Sequence, residues 1–427
     1  MPTLQDMPLE ELRRHEGELA EKLKALRGRN QNIDMTRGKP SAEQLDLSNG
    51  LFAMVTEDSY SGEDGTDYRN YGAQSGIPEA KAFFAECLGI PAENIFIGGN
   101  SSLQLMYDAL SRAMLFGVPG SDGPWRDVED VSFICPIPGY DRHFSVCETL
   151  GVKMINVDLL DDGPDMEAVE ALVADNPAVK GIWCVPKYSN PSGIVYSPEV
   201  IGRLAKMKSA APDFRIFWDN AYAFHNFEGE LAEIEDILVL AAQAGNGDRP
   251  LLFASTSKVT LPGAGVAVIA GSTANMDDIV RHTVIATIGH DKLNQLRHVR
   301  FFGDAAGLKQ HMAKHGDLLR PKFKAVSEAL GAAFAGKDIV QWNAPEGGYF
   351  VSVDLLDGCA TETVRLAEEA GVKLTPAGSC HPYGDDPDDR TLRLAPTFPT
   401  LGEVTQAMEV FCASAELACT RKLLSES

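Results

Sequence analysis

The chain is short of positive charge. Its 427 residues carry 38 Lys and Arg against 61 Asp and Glu, a formal net charge of −23. A surface so acidic repels phosphate backbones and anionic lipid, which argues against nucleic acid and membrane as partners. Long apolar runs are missing too, and no stretch approaches the roughly 20 residues that a bilayer requires. The first residues hold no apolar signal core; Leu9 to Leu26 mixes charge with Leu and Ala at helical spacing. Cys87, Cys135, Cys147, Cys184, Cys359, Cys380, Cys412 and Cys419 include no C-x-x-C pair, and several stand in apolar runs such as Trp183-Cys184-Val185. They read as buried reduced thiols, not as staples or zinc ligands, so no metal is expected and the cytoplasm is the expected compartment. Repeats and low-complexity segments are absent as well.

What is present is the profile of an ordinary globular protein, 44% hydrophobic and 23% charged, long enough for two domains. Ile95–Ile97, Val131–Cys135, Val152–Val157, Gly181–Val185, Arg215–Trp218, Leu251–Ala254 and Val266–Ala270 read as strands, with helical patterns between several of them. Apolar strands separated by helices imply a largely parallel sheet covered on both faces, with reactive residues at the strands' carboxyl ends. Ser197 and Pro198 open one helix as N-cap and first residue. Asn100 reads as the N-cap of a helix marked by Leu103, Met106, Leu110 and Met114, whose free N–H groups can receive an anion. After long helical patterns to about Ala335, the end of the chain reads as a smaller α+β unit. It comprises a strand Tyr349–Val353, a helix Thr361–Ala370, a strand Leu392–Ala395 and a last helix opened by a Thr400/Glu403 capping box.

Ser255-Thr256-Ser257-Lys258 closes the apolar run Leu251–Ala254. A lysine there can form a Schiff base with a carbonyl cofactor while the hydroxyls beside it hold a phosphate; a surface lysine after serines is the plain alternative. Asp219, in Trp218-Asp219-Asn220-Ala221-Tyr222, is costly to bury without a cationic partner such as a protonated pyridine nitrogen, or it is an N-cap or a structural ion pair. Asn190-Pro191-Ser192-Gly193 is ordinary turn chemistry. Tyr140 can lie on a planar cofactor or fill the core. Arg393, alone in a strand pattern, can clamp a carboxylate bidentately or pair with a neighbouring acid.

In order and spacing these pieces resemble the class I-like aminotransferases of pyridoxal-phosphate fold type I, and among them a divergent bacterial branch of aspartate aminotransferases. The motifs run from Gly38 through Tyr71…Gly76, Gly99-Asn100-Ser101-Ser102, Pro138-Gly139-Tyr140, Asn190-Pro191-Ser192-Gly193, Asp219…Tyr222 and Ser255-Thr256-Ser257-Lys258 to Arg393. The resemblance implies a large domain (46–310) with a mostly parallel seven-stranded sheet between helices. A smaller α+β domain (311–427) would be joined by an N-terminal helix and arm (1–45). It implies that Lys258 carries pyridoxal 5'-phosphate as an internal aldimine, that Asp219 keeps the ring nitrogen protonated, and that Asn190 and Tyr222 bond the ring oxygen. Tyr140 would stack on the ring. Asn100, Ser101, Ser102, Ser255 and Ser257 would hold the phosphate, with Tyr71 reaching it from the second subunit of a homodimer. Arg393 and the backbone near Gly38 would bind the substrate's α-carboxylate, with Asn190, Arg37 and Lys39 further substrate-binding candidates. The implied reaction is ping-pong amino transfer between aspartate and 2-oxoglutarate. A neutral or aromatic aminotransferase, a C–S lyase, or a non-catalytic effector domain is the alternative. One position departs from the family: where an arginine usually meets the phosphate, eight residues after the lysine, this chain has Val266. For the distal carboxylate of a dicarboxylic substrate, Arg37, Lys39, Arg142, Arg297 and Arg300 remain candidates.

Overall fold

The structure, a computed structural model, describes residues 4–426. Its main sheet has eight strands in the order Ile95–Ile97, Ala267–Ala270, Pro250–Ser255, Arg215–Asp219, Val179–Cys184, Ser132–Ile137, Lys153–Leu160, Gly163–Pro164. The seven expected strands are all there, and the eighth is a two-residue addition at the edge. Pro250–Ser255 through Lys153–Leu160 run parallel. Ala267–Ala270 is antiparallel to both its neighbours, so Ile95–Ile97 points the same way as the parallel block.

These strands are apolar at nearly every residue because both faces are covered. Ile134, Ile182, Ile216 and Val268 pack on one face, whereas Phe133, Trp183, Phe217 and Ile269, each next in sequence to one of them, pack on the other. Side chains at the carboxyl ends of five strands are thereby brought to one edge of the sheet.

A second core is built from the two ends of the chain. Helix Leu9–Arg27 packs on helix Leu401–Glu426, and its Leu19, Leu23 and Leu26 join Phe323, Val353 and Phe411. Above this lies the antiparallel sheet Val340–Trp342, Val351–Leu355, Thr391–Leu394. The expected strand at Tyr349 begins two residues later, after the left-handed Gly348 (φ 82°), although Tyr349 and Phe350 are buried in this same core. The long helix Ala305–Phe334 belongs to both cores: Leu308 and Met312 lie in the sheet's, Leu319 to Phe334 in the second. Seven of the eight cysteines are buried, and all eight are free thiols. Among the described residues no helix is long and apolar enough to cross a membrane.

The Thr400 and Ser197 caps read from sequence are made. Thr400 N donates to Glu403 Oε2 (2.8 Å), and Glu403 N returns a bond to Thr400 Oγ1 (3.3 Å). Ser197 Oγ accepts from Val200 N (3.2 Å) and donates to Asp162 (2.7 Å). Ser197→Ala should destabilise the protein by about 1 kcal/mol; urea unfolding followed by circular dichroism checks this, and an unchanged midpoint would contradict it.

Candidate active site

At the carboxyl edge of the sheet lies a cavity of about 350 Å³. Asn100, Ser101, Ser102, Tyr140, Asn190, Asp219, Tyr222, Ser255, Ser257 and Lys258 all line it. Each follows a strand or ends one, so residues distant in sequence converge because their strands are neighbours.

Asp219 ends its strand 3% exposed. Its Oδ2 faces His143 Nε2 at 3.1 Å, while Oδ1 is buried and has no hydrogen-bond partner among the described residues. His143 is held in turn by stacking on Trp183 (centroids 4.3 Å apart, planes 9° from parallel), and Tyr140 meets it edge-on. Burying a carboxylate with half its acceptor capacity unused is costly unless a donor, best a cationic one, comes to that oxygen.

Lys258 is half-buried, its Nζ 5.1 Å from the centre of the Tyr222 ring. Burial lowers the pKa of its amine, and the charge of Asp219 opposes that shift. Burial raises the Tyr140 and Tyr222 phenols, which keeps both protonated and able to donate.

Helix Ser102–Phe116 aims its N-terminus at the same cavity. Its N-cap is Ser101, not Asn100 as expected from the sequence: Asn100 Nδ2 instead donates to Pro262 O (3.1 Å), which holds that residue out of the helix. The Ser101 side chain makes no capping bond, so the first N–H groups of the helix stay available to an anion. Ser255 Oγ donates to Ser257 Oγ (3.1 Å), and Ser257 Oγ to Asn100 O (3.0 Å). Both hydroxyls must turn to donate to an anion. Val266 is 1% exposed and tied to Thr256 through its N–H, so this position brings no cation to the cradle.

Arg393 is 5% exposed. Its Nη1 donates to Asp141 (3.0 Å) and to Asn190 Oδ1 (3.3 Å), its guanidinium lies over the Phe350 ring at 4.7 Å, and its Nε has no partner among the described residues. Gly38 sits against the same ring, where any β-carbon would collide with it. Arg393 and Gly38 are not among the residues lining the cavity, and neither are the remaining expected residues. Tyr71 is 80% exposed, Arg37 is exposed, and Lys39 lies over the Phe398 ring at 3.8 Å. Arg142 is exposed, Arg297 bonds Asn294, and Arg300 ties down the carbonyls of Met54, Ser59 and Ser61. None of these five cations lines the cavity.

Sequence reading missed His143, Asp141 and Phe350. His143 and Asp141 follow Tyr140 on the first turn of helix Asp141–Leu150, and a polar first turn is the only signal they give. A pyridine ring bearing a phosphate and a carbonyl fits this donor set: Asp219 Oδ1 for the ring nitrogen, the open helix N-terminus for the phosphate, Lys258 for the carbonyl.

Comparisons with known proteins bear on the family and the fold. A family model described as aspartate amino-transferase matches residues 7–427. An aspartate aminotransferase of Corynebacterium glutamicum is 46% identical over 407 residues, 95% of this chain and 94% of that protein. The crystal structure of an aspartate transaminase from the same species superposes with a TM-score of 0.96 at 44% identity, covering 99% of both chains. At 21% identity an α-aminoadipate aminotransferase of Thermus thermophilus, solved with N-(5'-phosphopyridoxyl)-L-leucine, shares the fold with a TM-score of 0.73 over 96% of this chain and 98% of that one.

With no small molecule bound, the Lys258 amine should titrate below the 10.5 of a free lysine. Asp219→Asn should lower it further, since the carboxylate favours the ammonium form. The pH dependence of Lys258 acetylation, read by mass spectrometry, checks both; a rise in Asp219→Asn would contradict the assigned electrostatics.

Proposed function

We propose, for a chain that belongs to the aspartate amino-transferase family, that it moves an amino group between aspartate and 2-oxoglutarate, with pyridoxal 5'-phosphate held in the cavity around Lys258. That it is an aminotransferase follows from the family; the cofactor's place, the substrates and the residue roles are the proposal. One observation carries it: the buried, unpartnered Oδ1 of Asp219 in the cavity that also holds Lys258 and an uncapped helix N-terminus. When bound, pyridoxal phosphate supplies a carbonyl for the lysine and a ring that takes up electrons released at the substrate's α-carbon.

The chain's own residues do the rest. Lys258, its amine weakened as an acid-holder by burial, takes the α-proton as general base and returns it on the other side of the reaction. Asp219, steadied by His143, holds the ring nitrogen's proton. Tyr222 and the Nδ2 of Asn190, whose Oδ1 is already engaged by Arg393, donate to the ring oxygen. Tyr140 covers one ring face. Arg393 offers its Nε–Nη2 edge to the α-carboxylate, because Nη1 is already engaged. Amino acid and oxo acid use this one clamp in turn, which is the basis of a ping-pong order.

We also propose two units, 46–310 around the main sheet and 311–427 with the N-terminal arm 1–45, supported by their separate cores. The proposed location is the cytoplasm, supported by the reduced, buried cysteines. A homodimer is supported by exposed apolar residues beside Tyr71. Phe116 stacks on His282, Ile285 is 83% exposed, and Gly289 packs against Gly72. A second copy would cover this strip and receive Tyr71. Sedimentation should give a dimer; a fully active monomer would contradict this.

Aspartate is supported by the names of the relatives. The second reading is a neutral or aromatic amino donor: none of the five candidate cations lines the cavity, as Arg393 does not, and none is held beside Arg393. Arg393→Ala should lower kcat/KM on the order of a hundredfold for aspartate and alanine alike, since the lost charge-assisted contact serves every substrate. Replacing the true distal cation should hurt aspartate and spare alanine. A panel of amino acids assayed on the wild type and on variants of Arg37, Lys39, Arg142, Arg297 and Arg300 decides; a wild-type preference for neutral or aromatic donors overturns aspartate.

A further inference from the structure

The carbonyl oxygens of Lys258 and its successor Val259 are held by side chains that have no part in the chemistry above. Lys258 O accepts from Tyr349 OH (3.2 Å) and His225 Nε2 (3.2 Å). Val259 O accepts from His311 Nε2 (2.8 Å), and His315 Nε2 lies 3.1 Å from that same nitrogen. Gln44 Nε2 closes the cluster, donating to Tyr349 OH (3.0 Å) and His315 Nδ1 (3.1 Å). His225 and His311 meet the carbonyls with hydrogen on Nε2, Lys258 O accepts twice, and Gln44 spends both amide protons on Tyr349 and His315. Burial keeps the histidines neutral, pushing His225 and His315 down to about 3 and lowering His311.

The cluster joins distant segments: Gln44 from helix Ala42–Asp46, His311 and His315 from helix Ala305–Phe334, and Tyr349 from the turn before Val351–Leu355. Tyr349 precedes Phe350, whose ring carries Arg393 and Gly38. One dipeptide therefore touches the lysine's peptide with its first residue and the carboxylate clamp with its second.

We infer that Tyr349 and His225 are positioning residues for Lys258, fixing its peptide by two donors on one carbonyl and so aiming its amine into the cavity. The inference rests on the reading of Lys258 as the cofactor-bearing lysine. A lysine side chain is a flexible four-carbon stem, and its reach is defined only as well as the backbone that anchors it. A carbonyl accepting two bonds in a dry interior is held more firmly than one accepting a single bond from water.

The test uses the apoprotein and two reagents. Capture of pyridoxal phosphate, followed by absorbance and by borohydride trapping with peptide mapping, needs an aimed amine; acetylation of Lys258 by acetic anhydride needs only an accessible one. Losing one donor should slow capture about tenfold in Tyr349→Phe and in His225→Leu while acetylation changes less than about twofold. His225→Gln, which keeps an N–H donor, should recover capture to within about threefold of wild type. Trapping at Lys258 with capture unchanged in both Tyr349→Phe and His225→Leu overturns the inference alone. So does a fall in capture matched by acetylation and by melting temperature, which marks a packing role. Trapping at a lysine other than Lys258 in the wild type overturns the parent reading and this one together.

Discussion

Everything in this site answers to one buried charge. Asp219 stands at the end of a central strand, 3% exposed, where an ionised carboxylate is stable only with hydrogen bonds to both oxygens. His143 serves one of them. The other faces a cavity whose remaining walls offer hydroxyls, an open helix end and a lysine. The stack of Trp183 under His143, with Tyr140 edge-on to it, fixes the donor's direction. The unpaired oxygen is thus a fixed demand on whatever enters.

A second carboxylate makes the electrostatics less obvious. Asp141 pairs with Arg393 at 3.0 Å, in the place where a substrate carboxylate is proposed to bind. That pairing takes one guanidinium nitrogen and partly neutralises the other donors. It also orients the planar group, because Nη1 is pinned by Asp141 and Asn190 while Phe350 supports its face. The clamp gives up some attraction for a defined direction, a reasonable exchange where two substrates of different shape must present the same bond.

Much of this was legible in the sequence because it is local. Strands buried on both faces, the Ser197 and Thr400 caps, and polar clusters at strand ends all follow from spacing and residue type. Bringing Ser101, Asn190, Asp219 and Lys258 together needed only the rule that a parallel sheet collects its carboxyl ends at one edge. What stayed hidden depends on contacts across the chain. Asn100 has every property of an N-cap, and only the Pro262 carbonyl, far along the sequence, pulls it out of that role. His143, Gln44, His311 and Tyr349 carry no motif; each matters for a partner delivered by another segment. Tyr349 was expected in a strand, and the left-handed glycine that displaces it is visible only in the backbone.

The helix Ala305–Phe334 has a consequence for how the molecule comes apart. Its first turns are packed in one core and its later turns in the other, with His311 and His315 at the junction. Helical residues melt cooperatively with their neighbours, so unravelling at either end removes support from the next turn. Opening one core would leave half of this helix with its apolar face in water. The shared helix therefore couples the opening of the two cores, where a linker of loose chain would have left them independent. By that coupling, loosening the second core would reach the lysine as a larger fraction of time spent open, without any displacement of the native structure.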